Sequence, residues 1–370
     1  MPPMDVLLMI LAATVVLGFL VFIHEGGHFL AARAFGVRVS EFMIGLPGPC
    51  IGVRRGETKF GLTAIPLGGY ARVCGMEPGE MSPHLKAAMT SVYARGTALM
   101  EDVAADCGIT DDEAYEALEE LVEWGAITGP KKSDEFNVYR TTELKPTRRM
   151  LLKAERAGFA IPPRAEGEPA RLDDPDSAFE REYHQQYRSL PAWKRMIILL
   201  AGPGVNLLFA MLAFVVIYSL IGFDYQYSDG TVQHITVSPL RAIEAGFGYI
   251  GMVIQAVAGL FNPQTAAETV SQSTSVVGIA VMSKTAIESG FSTALSFTAM
   301  LSVSLGIMNL LPIPPLDGGL FVIEVYQRIR RKAVGVRAMN YLSFAGIALF
   351  TLFFIVMLHQ DIQRVISGNW

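Results

Sequence analysis

His24, Glu25 and His28 form the motif HEGGH inside the first long apolar segment of the chain, Val6 to Ala34. On a helix, positions i and i+4 share a face, so two imidazoles so spaced can meet a single zinc ion. The glutamate between them is placed to take a proton from a water at the metal, an arrangement suited to hydrolysis of a peptide bond. The blander alternative, buried histidines satisfied by neighbouring helices, would leave three ionisable groups each seeking its own partner in lipid. A shared divalent cation serves all three at once.

Catalytic zinc normally takes three protein ligands and keeps a fourth position open. The best candidate for the third is Asp317, in NLLPIPPLDGG (Asn309 to Gly319), after the apolar stretch Leu295 to Leu311. Pro312, Pro314 and Pro315 cannot continue a regular helix, so the chain should unwind there, which a membrane tolerates only around a protein-lined cavity. Gly318 and Gly319 then allow close approach.

With these segments in view, the chain resembles the bacterial members of the site-2 protease family, the intramembrane zinc metalloproteases of regulated intramembrane proteolysis. The resemblance rests on HEGGH, on KFGLTAIPLGGYARVCGM (Lys59 to Met76), on WKRMIILLAGPGVNLLFA (Trp193 to Ala210) and on LGIMNLLPIPPLDGG. It implies His24, His28 and Asp317 as ligands of Zn2+, Glu25 as catalytic base, and a transmembrane protein as substrate, either a single-span regulator or a signal-peptide remnant. It also implies that Asn206 touches substrate backbone or the tetrahedral intermediate, although an amide inside a span ordinarily cements helices. Asn309 is read the same way, with helix capping as its plainer role.

Of 370 residues, 51% are hydrophobic and 18% charged, as expected for a membrane protein with a polar insert. Four spans are argued: Val6 to Ala34, Met196 to Phe223, Leu295 to Leu311 and Tyr341 to Leu358. Arg33, Arg38, Arg54, Arg55 and Lys59 follow the first, Lys194 and Arg195 precede the second, and Arg328, Arg330, Arg331, Lys332 and Arg337 join the last two. These segments should be cytoplasmic, which puts HEGGH and Asp317 toward the same face of a bacterial plasma membrane. The expected fold is thus a multi-span α-helical membrane protein of about four transmembrane helices, with a membrane-associated β-hairpin or sheet and a small α+β cytoplasmic insert.

Its expected divisions are 1–77 (first span and β region), 78–190 (insert), 191–223 (second span), 224–291 (external loop) and 292–370 (last two spans). In the β region, the strand-like Lys59 to Pro66 runs into the turn signal Leu67-Gly68-Gly69-Tyr70, suggesting a hairpin whose edge receives an unwound substrate by β-addition, with Gly68 and Gly69 at the contact. The stretch Asp224 to Gly290 is too short for the PDZ domains many relatives carry there. It holds instead an apolar, interfacial helix around Ile243 to Phe261, and SVVGIAV (Ser275 to Val281) lacks the proline of the corresponding family motif.

The insert, Pro78 to Leu190, shows helical patterns at Pro83 to Ala94, Thr97 to Cys107 and Asp111 to Glu123, then a Trp124-Gly125 stop and the strand-like Phe136 to Thr142, an order like that of a winged helix. Thr110 to Glu113 reads as a capping box. The stretch Thr97 to Lys145 is heavily acidic, a field that repels phosphates, so a cytoplasmic protein is the expected partner and nucleic acid is not. Pro146 to Ser189 reads as a linker ending in a short helix. Cys50, Cys74 and Cys107 match no zinc ribbon and are expected as free thiols. His84, His184, His234 and His359 are expected as polar surface or interfacial residues and not as ligands. A metal transporter or an inactive scaffold are the competing functions. The glutamate beside paired ligands serves neither.

Overall fold

The computed structural model describes residues 3–65, 68–76, 79–146, 148, 151–152, 155, 163–170, 172, 174–226, 228 and 230–367. Helix α1, Pro3–Ala34, is a continuous apolar rod carrying HEGGH near its C-terminal end. Gly36, with φ of +84°, turns the chain out of the helix. There follow β1 (Val39–Ile44), β2 (Cys50–Arg55), β3 (Thr58–Thr63) and β4 (Gly69–Val73), which form one sheet in the order β2-β3-β1-β4. β1 runs parallel to β3, with Phe42 opposite Phe60, and antiparallel to β4, with Phe42 opposite Ala71.

This order corrects the expected hairpin. Both edges of β3 are already occupied, by β2 and β1, so β4 takes the free edge of β1 instead of pairing back on β3. Phe29 of α1 anchors the arrangement by packing edge-on against both Phe42 and Phe60. Pro66 and Leu67, part of the expected turn, lie outside the described residues.

The insert comprises α2 (Leu85–Arg95), β5 (Thr97–Leu99), α3 (Met100–Cys107), α4 (Asp111–Glu123), β6 (Ile127–Thr128), β7 (Val138–Thr141) and α5 (Pro175–Tyr183). Its strands form a sheet in the order β5-β7-β6. Thr110 and Glu113 make the reciprocal capping box expected at α4. Leu118, Leu121, Trp124 and Tyr139 fill a core closed by α2. Two expectations change. Thr97 to Leu99 is a strand paired with β7, not the first turn of a helix, and α3 begins at Met100. The expected linker is also partly structural: Ala170 and Leu172 pack on the insert core, and Ala170 N–H bonds to the carbonyl of Tyr93. Residues 147, 149–150, 153–154, 156–162, 171 and 173 of that linker, and Glu77 and Pro78 at the insert's start, lie outside the described residues.

Helix α6, Ala192–Val215, continues through the π-helical turn Val216–Ile221. The hairpin β8 (Phe223–Gln226) and β9 (Val232–Ile235) leads to α7 (Pro239–Leu260), α8 (Ala266–Gln272), α9 (Val276–Glu288), α10 (Phe291–Asn309), α11 (Asp317–Arg330) and α12 (Val336–Ser367). Among the described residues, five helices are long and apolar enough to cross a membrane: α1, α6 with its π-helical turn, α7, α10 and α12. Four of them match the spans argued from sequence. The fifth, α7, is the helix read as interfacial.

Small residues let these helices approach. A methyl group built on Gly27 of α1 would press into the backbone of Ala201 on α6, and one on Gly306 of α10 would lie 3.2 Å from the carbonyl of Pro203. Ala210, Ala213, Phe214, Val303 and Ile307 complete the α6–α10 contact. Helix α6 is therefore held close against α1, which carries the motif, on one side and against α10 on the other.

Candidate metal centre

Two elements far apart in sequence bring the ionisable cluster together. Helix α1 presents His24 and His28 on one face, both buried. The chain from Leu310 to Leu316 is not helical, as the prolines require, and α11 restarts with Asp317 as its first residue. Gly318 and Gly319 make that restart possible, because a methyl on either would run into the backbone of the unwound segment at Leu310 or Ile313 and Pro314. Asp317 Oδ2 then lies 3.1 Å from His24 Nε2 and 3.4 Å from His28 Nε2, and the two Nε2 atoms are 3.3 Å apart.

Those separations test whether a metal fits. Bonds of about 2.0–2.1 Å in a tetrahedral zinc site place neighbouring donor atoms about 3.3–3.4 Å apart. The outer nitrogens also point the right way. His28 Nδ1 is 2.7 Å from the carbonyl of Ile198 and must donate its proton there, leaving the Nε2 lone pair directed at the cluster. His24 Nδ1 faces the amide of Asn206 at 3.4 Å, and Asn206 Oδ1 is buried without a partner. Turning that amide over lets His24 Nδ1–H donate to Oδ1, which satisfies the orphan oxygen and frees the second Nε2 lone pair. Two lone pairs and a carboxylate converging on one point form a donor set for a cation.

Around this cluster the packing is close. Gly202 of α6 sits where a methyl would lie against His28 Nε2 and 2.8 Å from His24 Nε2. Asn206, on the same helix and fully buried, also accepts a bond at its backbone carbonyl from Ser302 Oγ of α10, 2.8 Å away. Glu25 stands next to the cluster and is turned toward the sheet, where its Oε2 accepts a bond from the amide of Ala71 at 2.9 Å. Gly69 lies just beneath, so close that a methyl there would be 2.7 Å from Val21 and 3.4 Å from the Glu25 side chain. Asn309 is the last residue of α10, at the lip of the unwound segment. Gly68, with φ of +87°, makes the turn into β4, and its carbonyl accepts a bond from Gly45 N–H at 2.7 Å.

His24, Glu25, His28, Asn206, Gly69 and Asp317 are thus brought together, whereas Asn309 and Gly68 stand at the margin. The remaining histidines are elsewhere: His84 faces Glu113, His184 faces Glu180, His234 bonds to Asp224, and His359 is exposed on α12. The thiols of Cys50, Cys74 and Cys107 are free, and burial pushes that of Cys74 up to about 11. Two participants were missed from sequence. Gly202 lies in a run of small residues, Ala201-Gly202-Pro203-Gly204, whose signal is close helix approach. Ala71 acts through its backbone, which no side-chain pattern announces.

Apolar helices enclosing a cluster of two histidines and an aspartate beside a glutamate define a membrane protein of the metallopeptidase kind. The chain belongs to peptidase family M50, whose profile matches residues 12–353. A Campylobacter jejuni protein provisionally named a zinc metalloprotease is 26% identical over 379 residues, covering 96% of this chain and 94% of its own length. The regulator of sigma-W protease RasP of Bacillus subtilis is 24% identical over 439 residues, covering 96% and 98% respectively. The zinc metalloprotease RasP of Geobacillus kaustophilus is 24% identical over 438 residues, with the same coverage. Family and relatives together make this chain a zinc metalloprotease of the site-2 type.

Proposed function

We propose that the protein hydrolyses peptide bonds within transmembrane segments of membrane-protein substrates, with zinc held by His24, His28 and Asp317. The observation that carries the reading is the convergence of these three donors, all within 4.8 Å of one another, on apolar helices beside Glu25. Zinc, when bound, would polarise the scissile carbonyl and acidify water. Glu25 would take the proton from that water and pass it to the departing amine, while Ala71 N–H holds its carboxylate in place. Asn206 would fix His24. Because β4 is an outer strand of its sheet, an unwound substrate segment would lie along it near Gly68 and Gly69. Asn309 lies where the substrate would pass the unwound segment.

The flanking basic residues support placing the metal centre toward the cytoplasm of a bacterial plasma membrane, with the insert cytoplasmic. Helix α7 then crosses from outside toward the level of the site as a fifth apolar helix. The insert, with its helix-strand-helix-helix-strand-strand order and sheet order β5-β7-β6, is best described as winged-helix-like. Helix α4, in the position that would read DNA, carries Asp111, Asp112, Glu113, Glu116, Glu119, Glu120 and Glu123, so a protein partner suits it better than nucleic acid.

The test is cleavage of a single-span substrate in membranes. Glu25→Gln should lower kcat about 10²–10⁴-fold while retaining zinc, whereas alanine at His24, His28 or Asp317 should lose the metal. Normal zinc content and full activity in Asp317→Ala would remove it from the site. Cysteine reporters in the insert should resist an impermeant reagent in intact cells while Ser228→Cys labels; the opposite pattern would invert the topology.

A further inference from the structure

Arg38 lies between the buried Val37 and Val39, at the entry to β1, and is itself buried. Its guanidinium gathers the insert around it: Nη1 donates to Glu182 Oε2 at 2.7 Å and to the carbonyl of Trp124 at 3.1 Å, and Nη2 donates to Gln185 Oε1 at 3.0 Å. Burial works against the charge, but Glu182 and then Glu57 outweigh it, so the pKa is raised and the cation is permanent. A second grip is taken at the same end of the pair, on the paired strand β4. Glu123, at the C-terminus of α4, accepts bonds from Gly75 N–H at 2.8 Å and Met76 N–H at 3.2 Å, just beyond β4. Backbone bonds knit the two grips together: Cys74 N–H to the Arg38 carbonyl at 3.0 Å, Arg38 N–H to that of Gln185 at 2.8 Å, and Tyr187 N–H to that of Cys74 at 2.9 Å.

The strand so held is the one that holds Glu25. Ala71, whose amide bonds to the Glu25 carboxylate, is three residues before Cys74 and is paired with Phe42 of β1. An extended strand transmits displacement along its length, and a shift of about 1 Å at a reacting group can cost on the order of 100-fold in rate.

We propose that the insert is a positioning element for the reaction: through Arg38 and Glu123 it clamps the base of the β1–β4 pair and so sets where the Ala71 amide holds Glu25. The inference rests on the reading of Glu25 as the base. It differs from a role in substrate access, because it acts on turnover and not on binding.

The test uses purified full-length protein with zinc bound. Removing Arg38 strands Glu182 without its cation and endangers folding, so the Glu123 variants carry the decision. Glu123→Ala should lower kcat about tenfold with KM held within about twofold. Hydrogen exchange at the Ala71 amide should quicken by about tenfold, with exchange at Tyr139 in the insert core unchanged. Glu123→Gln keeps an acceptor oxygen for both amides and should restore most of the rate. Wild-type kcat in Glu123→Ala, a rise in KM with kcat held, or a lower kcat with Ala71 exchange unchanged would each overturn the clamp. Full activity in Glu25→Gln would instead overturn the assignment of the base, so the two failures are distinguishable.

Discussion

The helices around the metal centre and the insert beside them are held together by opposite means. Where α6 meets α1 and α10, close approach depends on what is missing: Gly27 and Gly306 have no side chains where the helices touch, and Gly202 leaves room for the two imidazoles. In the insert, bulk does the work, with Trp124, Tyr139, Leu118 and Leu121 interlocked among α2, α4 and the three-stranded sheet. The difference follows from the surroundings. Lipid offers apolar helices no hydrophobic reward for meeting, so close backbone packing must supply the attraction, whereas water drives the insert's side chains inward. Adding a methyl should therefore damage one region, and removing methyls the other.

The largest effect is expected at Gly202→Ala. The added methyl occupies the space where both Nε2 atoms converge, so zinc content should fall well below one per chain and activity by at least about 100-fold, while the insert keeps its stability. Normal zinc in that variant would show that α6 has room to withdraw and would undo the comparison.

A smaller effect is expected at Leu118→Ala, which opens a cavity in a fully buried position of the insert. It should cost about 2–5 kcal/mol of the insert's stability, read as a lower melting transition, and leave zinc bound. Loss of the metal in this variant would mean that the two regions fold as one unit.

The smallest effect concerns acid. Arg95, assisted by Ser91, holds the Asp106 carboxyl down to about 2, and Arg140, assisted by the backbone at Lys131, does the same for Asp134. A carboxyl depressed in the folded state contributes stability that is fully present above its unfolded value of about 3.9 and is lost as pH falls through the folded value. The insert should thus weaken between about pH 4 and pH 2, and Arg95→Ala or Arg140→Ala should move its acid transition slightly upward. The Arg95–Asp106 pair is solvent-exposed and the Arg140–Asp134 pair only half-buried, so the shift is modest. Unaltered acid transitions in both variants would leave the insert's resistance to apolar packing alone.

What could be foreseen from sequence divides along the same line. The α4 helix was legible to the residue, Asp111 to Glu123, because a capping box and a Trp-Gly stop are local signals. The unwinding before Asp317 was legible for the same reason, since proline acts on its own backbone. The strand Thr97 to Leu99 was not, being too short for a period to show. The pairing of β4 with β1 was also hidden, because it is decided by which strand edge remains free after three others have met. His24, His28 and Asp317 could be named from chemistry alone, but the glycine that leaves them room and the amide that holds Glu25 come from other segments.

The donors from α1 and α11 stand 293 positions apart in the chain. At a synthesis rate of about 5–20 residues per second, His24 and His28 are made roughly 15–60 s before Asp317 exists. Until then the chain carries the two imidazoles and the Glu25 carboxylate of the cluster but not its third donor. Order along the chain thus keeps the three donors from meeting until α11 has been made.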